Sequence, residues 1–410
     1  MKVAEVENIK KSWLGEYPSH WQLLRIKNLF REIDNRSVNG DEELLSVSQY
    51  TGITPKRDSL ENEDDFISNA ETLENYKKVA VGDLVINIML AWNGSLGISP
   101  YDGITSPAYC VYRCLPSDNP EYFGYLFSTA LFKAEFRRNS TGIIDSRLRL
   151  YSDKFFSISS VVPPKEEQDR IVEHIKAQSE KINRFIAAKK RFIELLKEQK
   201  SSVIDEVITK GMNPKVKLKK SEVEWLGEVP EHWKTYRLRF LCKITTGGKN
   251  TEDRVDEGEY PFYVRSQTIE RINSYSYDGV GILTAGDGVG VGRVFHLVEG
   301  KFDFHQRVYL FYEISEVIIS EFLFSFLQNN MIKELMRYNA KSTVDSVRLP
   351  VLKDFQVLVP PIEEQKQIIQ HIKTETATID TAISKAELEI ELIKEYKEAM
   401  IAEAVMGKQS

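Results

Sequence analysis

Apolar residues recur at heptad spacing in two long stretches of the chain. The first occupies residues 163–211, with Ile175, Ile182, Leu196 and Val203 on one stripe and Lys189 interrupting it. A second stripe, Ile186, Ile193 and Val207, runs beside it. The other stretch occupies residues 359–410, with Ile372, Ile379, Ala386, Ile393 and Met400, and beside them Ile383, Ile390 and Ala404. Past its opening prolines, neither stretch holds Gly or Pro until Gly211 and Gly407. The spacing predicts two helices of roughly 44 residues, about 66 Å each. A helix that long with one apolar stripe needs a partner stripe, and the economical partner is its counterpart. The alternative is two core helices of one large domain.

The two stretches are copies. At an offset of 197, residues 161–176 match residues 358–373 at ten of sixteen positions. Each copy opens on Pro-Pro-x-Glu-Glu-Gln, at Pro163 and at Pro360. Proline near the first helical position loses no hydrogen bond, and the glutamates sit where the helix dipole favours negative charge. A second motif is also doubled. Trp-Leu-Gly-Glu-x-Pro-x-His-Trp occurs at 13–21 and at 225–233, with seven of nine positions identical. It holds four of the five tryptophans, and the two motif pairs hold four of the six histidines: His20, His232, His174 and His371. Their spacing fits neither a metal site nor a catalytic dyad. A Trp-anchored turn packing the first segment of each copy is the expected role.

The doubled frame divides the chain into an opening segment at 1–21, a block at 22–162, a helix at 163–211, a linker and second motif at 212–233, a block at 234–358, and a helix at 359–410. The blocks share little sequence but the same order. In the first, strands are predicted at 44–48, 84–89, 96–98 and 109–113, then a helix at 121–138. In the second, strands are predicted at 262–265, 281–284, 292–297 and 307–312, then a helix at 318–338. Short strands broken by Gly-rich turns and followed by a helix predict α+β domains. The Lys-rich stretch at 213–220 is expected to be a solvated connector.

Composition narrows the class. Hydrophobic residues are 42% and charged residues 28%, the balance of a chain with ample core. Nothing approaches the ~18 apolar residues of a membrane span, and the first residues lack the apolar centre of a signal peptide, so the cytoplasm is expected. Cys110 and Cys114 lie on a Tyr- and Val-rich strand and are expected as reduced core thiols. Net charge is −6. The first block is slightly acidic and the second close to neutral, which pulls against nucleic-acid binding.

No methyltransferase tetrad, nucleophile elbow, zinc spacing or nuclease carboxylate cluster occurs in the sequence. The glycine run from Gly286 to Gly292 fits neither a dinucleotide fingerprint nor a phosphate loop. It predicts strand–turn–strand geometry at a close backbone approach, either within a sheet or to a nucleic acid. The remaining candidates are polar loop clusters. In the first block they contain Lys56, Arg57, Asn93, Ser106, Tyr109, Ser140, Thr141, Arg147 and Arg149. In the second they contain Arg265, Ser266, Gln267, Thr268, Arg271, Arg293, His305, Gln306, Arg307, Lys341, Ser342 and Arg348. Arg, Asn and Gln read base edges in a major groove, and Lys and small hydroxyls hold phosphates. Asp145-Ser146 and Asp345-Ser346 stand at similar places before each long helix, with Arg149 and Arg348 close behind.

Motif, variable block and Pro-Pro-x-Glu-Glu-Gln helix, all twice, resemble the DNA-specificity subunit of type I restriction–modification enzymes across essentially the whole chain. The resemblance implies two target recognition domains, each reading half of a bipartite double-stranded DNA site. It implies that the long helices pair as an antiparallel coiled coil that spaces the domains. It further implies two docked methyltransferase subunits carrying S-adenosylmethionine and methylating adenine, joined by translocase–nuclease subunits. The specificity subunit itself would hold no cofactor, no metal and no activity. Rival readings are a coiled-coil adaptor presenting two protein-binding modules, an enzyme fused to helices, and a specificity subunit of a modification-only or type IIB-like system.

Overall fold

The computed structural model describes residues 9–49, 51–56, 72–144, 147–338 and 346–408. The chain forms two compact units, residues 1–188 with 389–410, and residues 189–388. Two helices dominate the secondary structure, Lys165–Lys210 and Ile362–Val405, of 46 and 44 residues. The first begins in the first unit and ends in the second; the other does the reverse. Each unit therefore holds the start of one long helix and the end of its counterpart.

In the first unit, Val172, Ile175 and Ile182 share a core with Met400, Ala404, Val405 and Met406, and Ile186 and Ile393 pack against it. Asn183 Oδ1 accepts a bond from Lys397 Nζ at 3.1 Å. In the second unit, Val207 and Ile208 share a core with Ile368, and Ile372 packs against it. Lys200 Nζ donates to Asp380 Oδ1 at 2.6 Å. Lower numbers on one helix meet higher numbers on the other, so the pairing is antiparallel. At the 197 offset, Lys200 corresponds to Lys397 and Asn183 to Asp380. Each unit thus makes the same cross-helix contact with equivalent residues. Of the rest of the stripe, Ile193, Ile379, Ile383 and Ile390 are buried, and Leu196 and Val203 are half-buried.

The doubled motifs meet where each long helix starts. In the first unit, the Trp21 indole N–H donates to Glu167 Oε1 at 3.1 Å, and His20 Nε2 lies 2.8 Å from Glu167 Oε2. In the second, Trp233 donates to Glu364 Oε2 at 3.1 Å, and His232 Nε2 lies 2.8 Å from the same atom. Both indoles are buried. The glutamine one residue on is fully buried in each copy. Gln168 donates to Pro163 O at 2.9 Å and Asp118 Oδ1 at 2.8 Å, and accepts from Asn119 N–H at 2.7 Å. Gln365 donates to Pro360 O at 2.8 Å and Val317 O at 2.9 Å, and accepts from Ile319 N–H at 2.7 Å. The helix end arriving from the other copy closes the same spot. A Cβ on Gly211 would lie 3.2 Å from Trp233, and one on Gly407 would lie 2.9 Å from Trp21. Both glycines end their helices in the left-handed conformation.

The two blocks carry the same central sheet. In the first, four antiparallel strands lie in the order Phe30–Ile33, Cys110–Cys114, Leu84–Ile86, Leu96–Ile98. In the second, the order is Lys243–Thr246, Val308–Tyr312, Gly281–Ala285, Phe295–Val298. Strand Gln22–Arg25 pairs with Ser159–Val162, and Lys234–Arg237 with Gln356–Val359, so each block is tied off where its long helix starts. The second block adds a sheet containing Tyr260–Tyr263 and Lys301–Phe304, paired in parallel. All three cysteines are free, and burial pushes the Cys114 and Cys242 thiols up to about 12. Among the described residues, no helix is long and apolar enough to cross a membrane.

Three sequence expectations are corrected. The helix expected at 121–138 is two, Pro120–Ser128 and Ala130–Asn139. Thr129 adopts an extended conformation between them, and its hydroxyl bonds Leu126 O and caps Phe132 N–H. The strand expected at 84–89 stops at Ile86, because Asn87 turns the chain by accepting Met89 N–H at 3.1 Å. The strand expected at 292–297 starts only at Phe295, because Gly292 is left-handed and its neighbours form turns. The connector at 213–220 is exposed, as expected, and ends in a short strand, Leu218–Lys220, that pairs with Glu228–Pro230.

The buried glutamines make a stability prediction. Gln168→Leu strands the Asn119 N–H, the Pro163 carbonyl and an Asp118 oxygen, and Gln365→Leu strands the Ile319 N–H and the Val317 and Pro360 carbonyls, so each should cost roughly 1–3 kcal/mol in urea unfolding. A loss indistinguishable from zero would show that the glutamine merely fills space.

Candidate nucleic-acid interface

In the first block, the loop after helix Ala130–Asn139 is pinned at its base. Thr141 and Arg149 exchange backbone bonds of 2.9 and 3.0 Å, and Ser140 Oγ caps Phe136 O at 2.7 Å. The loop so closed presents Arg147 to solvent and leaves Ile143 100% exposed, with Ile144 at 52%. Asn93 stands exposed on a short turn, Ala91–Asn93, that packs on the same helix. Beside it, the Arg137 guanidinium sits 5.2 Å over the Trp92 ring. Lys56 and Tyr109 belong to a different region. Tyr109 is half-buried against the core of Leu45, Val47 and Ile53, and Lys56 follows the strand Gly52–Pro55 of that core. Ser106 Oγ accepts Ala108 N–H at 3.3 Å, holding the turn that leads to Tyr109. Arg57 lies outside the described residues.

The second block gathers its candidates more tightly. Gly286 is held by Arg307 and Val347 through backbone bonds of 2.8 and 2.9 Å. Asp287 follows, accepting from Arg265 Nη1 at 3.0 Å on one oxygen and from Arg307 Nη1 on the other. Gln306 donates to Asn250 Oδ1. Arg348 stands exposed at the start of helix Leu349–Asp354. A cleft of about 410 Å³ is lined by Thr246, Asp287, Gln306, Arg307, Ser346 and Arg348, among others. The glycine run forms the turn between strands Gly281–Ala285 and Phe295–Val298, with a close backbone approach. A Cβ on Gly290 would meet Arg265 O at 2.5 Å. At its tip Val289 is 95% exposed.

Other candidates serve the scaffold. His305 is buried, its Nδ1 accepting Arg307 N–H at 3.0 Å, and burial with the nearby arginines pushes its pKa down. It shapes the turn that carries Arg307. The Arg271 guanidinium is taken by Gly258 O and Glu259 O, both at 2.9 Å. Ser266, Gln267 and Thr268 form a loop tied down by Gln267 to Arg293 O at 3.5 Å and by His296 to Ser266 O at 3.2 Å, while the Arg293 side chain is exposed. Lys341 and Ser342 lie outside the described residues.

Sequence reasoning missed Asp287, Asn250, Ile143 and Val289. Asp287 and Asn250 are found only through partners tens of residues away. Ile143 and Val289 carried a signal, since each is a β-branched residue just after glycine in a polar loop, where no core could use it.

The Asp287 cluster has a pH consequence. Burial pushes its carboxyl up, but the hydrogen bonds and charges of Arg307 and Arg265 outweigh this and leave it below its ordinary value. A depressed carboxyl adds stability above its unfolded value, about 3.9, and loses it as pH falls through the folded value. Acid titration should leave the cluster intact at pH 5 and disrupt it only at a pH below the ordinary carboxylate value, about 3.9. Asp287→Asn should flatten that limb of the acid-unfolding curve; an unchanged curve would refute the linkage.

The family model described as the type I restriction modification DNA specificity domain matches residues 230–392. The type I restriction enzyme MjaVIII specificity subunit of Methanocaldococcus jannaschii is 26% identical over 444 aligned positions, 100% of this chain and 97% of that one. The EcoDI specificity subunit of Escherichia coli is 29% identical over 182 residues, 44% of this chain but only 40% of its own length. A chain solved in a study of complex assembly and conformational transition of the type I R-M system superposes with a TM-score of 0.65 at 14% identity, covering 96% of this chain and 99% of that one. The fold is therefore shared with a solved chain over nearly its full length. Together with the doubled signatures, this makes the chain similar over its whole length to the MjaVIII specificity subunit and, over residues 230–392, to the type I specificity domain.

Proposed function

We propose that the chain reads a bipartite double-stranded DNA sequence, each block taking one half, for a complex that methylates adenine. The observation that carries this is two blocks with one sheet order and little shared sequence, each fixed in the same frame and each presenting a different polar loop cluster. A constant frame with divergent loops is what two readers of unlike half-sites require.

Two methyltransferase subunits carrying S-adenosylmethionine would dock on the long helices and extrude the target base. Translocase–nuclease subunits would complete a restriction complex. Exposed apolar side chains on these helices support such docking: Phe185, Phe192 and Leu195 on the first, Leu388, Leu392 and Tyr396 on the second. Charge supports it as well. A chain with net charge −6 makes a weak phosphate grip alone, so partner subunits would supply much of the salt-dependent affinity.

Co-expression with the neighbouring methyltransferase and mapping of methylated adenines tests the reading. The expected result is a split motif, two short halves around a fixed gap. Replacing residues 22–162 with another such block should change one half only. Inserting one heptad into each long helix should lengthen the gap by about three base pairs, since seven residues rise roughly 10.5 Å against about 3.4 Å per pair. Co-purification without any methylation would favour a scaffold, and a failure to associate would favour the adaptor.

A further inference from the structure

Within the second block, Arg265 and Arg307 lie 42 residues apart in sequence yet share one carboxylate. Asp287 is mostly buried at its side chain, whereas the two arginine side chains are 46% and 61% exposed. Each guanidinium gives Asp287 one Nη1–H; Arg307 borders the cleft, and both side chains stay substantially exposed to solvent. The Arg307 backbone is held through its N–H to His305 and its carbonyl to Gly286, and Arg265 O lies so close to Gly290 that a Cβ there would meet it at 2.5 Å. The result is a pair of donor forks in fixed orientation, with one negative charge between two positive ones.

A lone surface ion pair would not need this arrangement. Two arginines aimed at phosphates would hold better without a carboxylate between them, because phosphate attraction depends on net charge. A carboxylate that fixes guanidinium planes makes sense where the target is planar and bidentate. Among base edges, the match for an arginine fork is guanine, through O6 and N7. Lysine would not substitute, having no planar fork.

We propose that Arg265 and Arg307 read guanine in the half-site taken by the second block, with Asp287 as the residue that positions them. The proposal rests on the DNA-reading function above and adds the base and the geometry.

The test uses the full chain co-purified with its methyltransferase, on duplexes carrying the mapped site. Each guanine of one half, then the other, is replaced by 7-deazaguanine, which removes N7 and keeps Watson–Crick pairing. The wild-type complex should lose about tenfold in affinity at one or two guanines of a single half, the scale of one bidentate base contact. Arg265→Lys and Arg307→Lys keep the charge and the fold. Each should bind about tenfold more weakly and no longer respond to 7-deazaguanine at its own position. Asp287→Asn should blunt the response at both positions while binding to unrelated DNA stays equal or tightens. A half-site without guanine, a wild type indifferent to N7, or lysine variants that keep the full response would each overturn the assignment. Those outcomes still require site-specific methylation by the wild type. Absence of any split motif would instead overturn the DNA-reading function.

Discussion

Everything in this chain depends on one small contact made twice, the indole N–H of Trp21 or Trp233 bonded to the second glutamate of a long helix. Each glutamate sits in the first turn, where the helix dipole favours its charge, and also engages the preceding histidine. The next residue, a buried glutamine, answers the exposed ends of the chain around it with both amide groups. A polar side chain can be fully buried here because every one of its strong bonds is made. The terminal glycine of the other copy's helix then closes over the indole. Three distant segments are locked at one point in each unit, and no residue of that lock is interchangeable: Trp for area with a donor, Glu for charge, Gln for two-sided bonding, Gly for close approach.

The blocks follow a different rule. Their central sheets have the same strand order, though their sequences have diverged. An antiparallel core asks only for alternation and volume, which many sequences supply. One core is crowded with aromatic rings, Phe123, Phe127, Phe132, Phe136 and Phe155. The other relies on Leu323, Leu327, Met331 and Leu335 with fewer rings. Loops on such a scaffold can change without disturbing the sheet.

Electrostatics act locally. The chain is net negative, and its arginines are marshalled rather than massed. Arg265 and Arg307 lean on Asp287, and Arg137 lies over Trp92. Orientation of a few guanidiniums carries information that a diffuse positive surface cannot.

The sequence by itself determined the frame. A heptad stripe, two Pro-Pro starts and a doubled Trp motif specify two matched long helices, because helix periodicity and capping are local rules read from neighbouring residues. It also fixed the α+β character of the blocks and the expectation of reduced cysteines. Local rules failed where side chains redirect the backbone, at Thr129, Asn87 and Gly292, which split a helix and shortened two strands. Only the tertiary structure decided which polar residues act together. His305 and Arg271 looked like their neighbours in sequence but bond the scaffold instead, His305 buried and Arg271 exposed, whereas Asp287 drew no notice until the fold set it between two arginines. A site built from strands and turns 20 and 22 residues apart has no linear signature, since its geometry exists only once the sheet has brought those turns together.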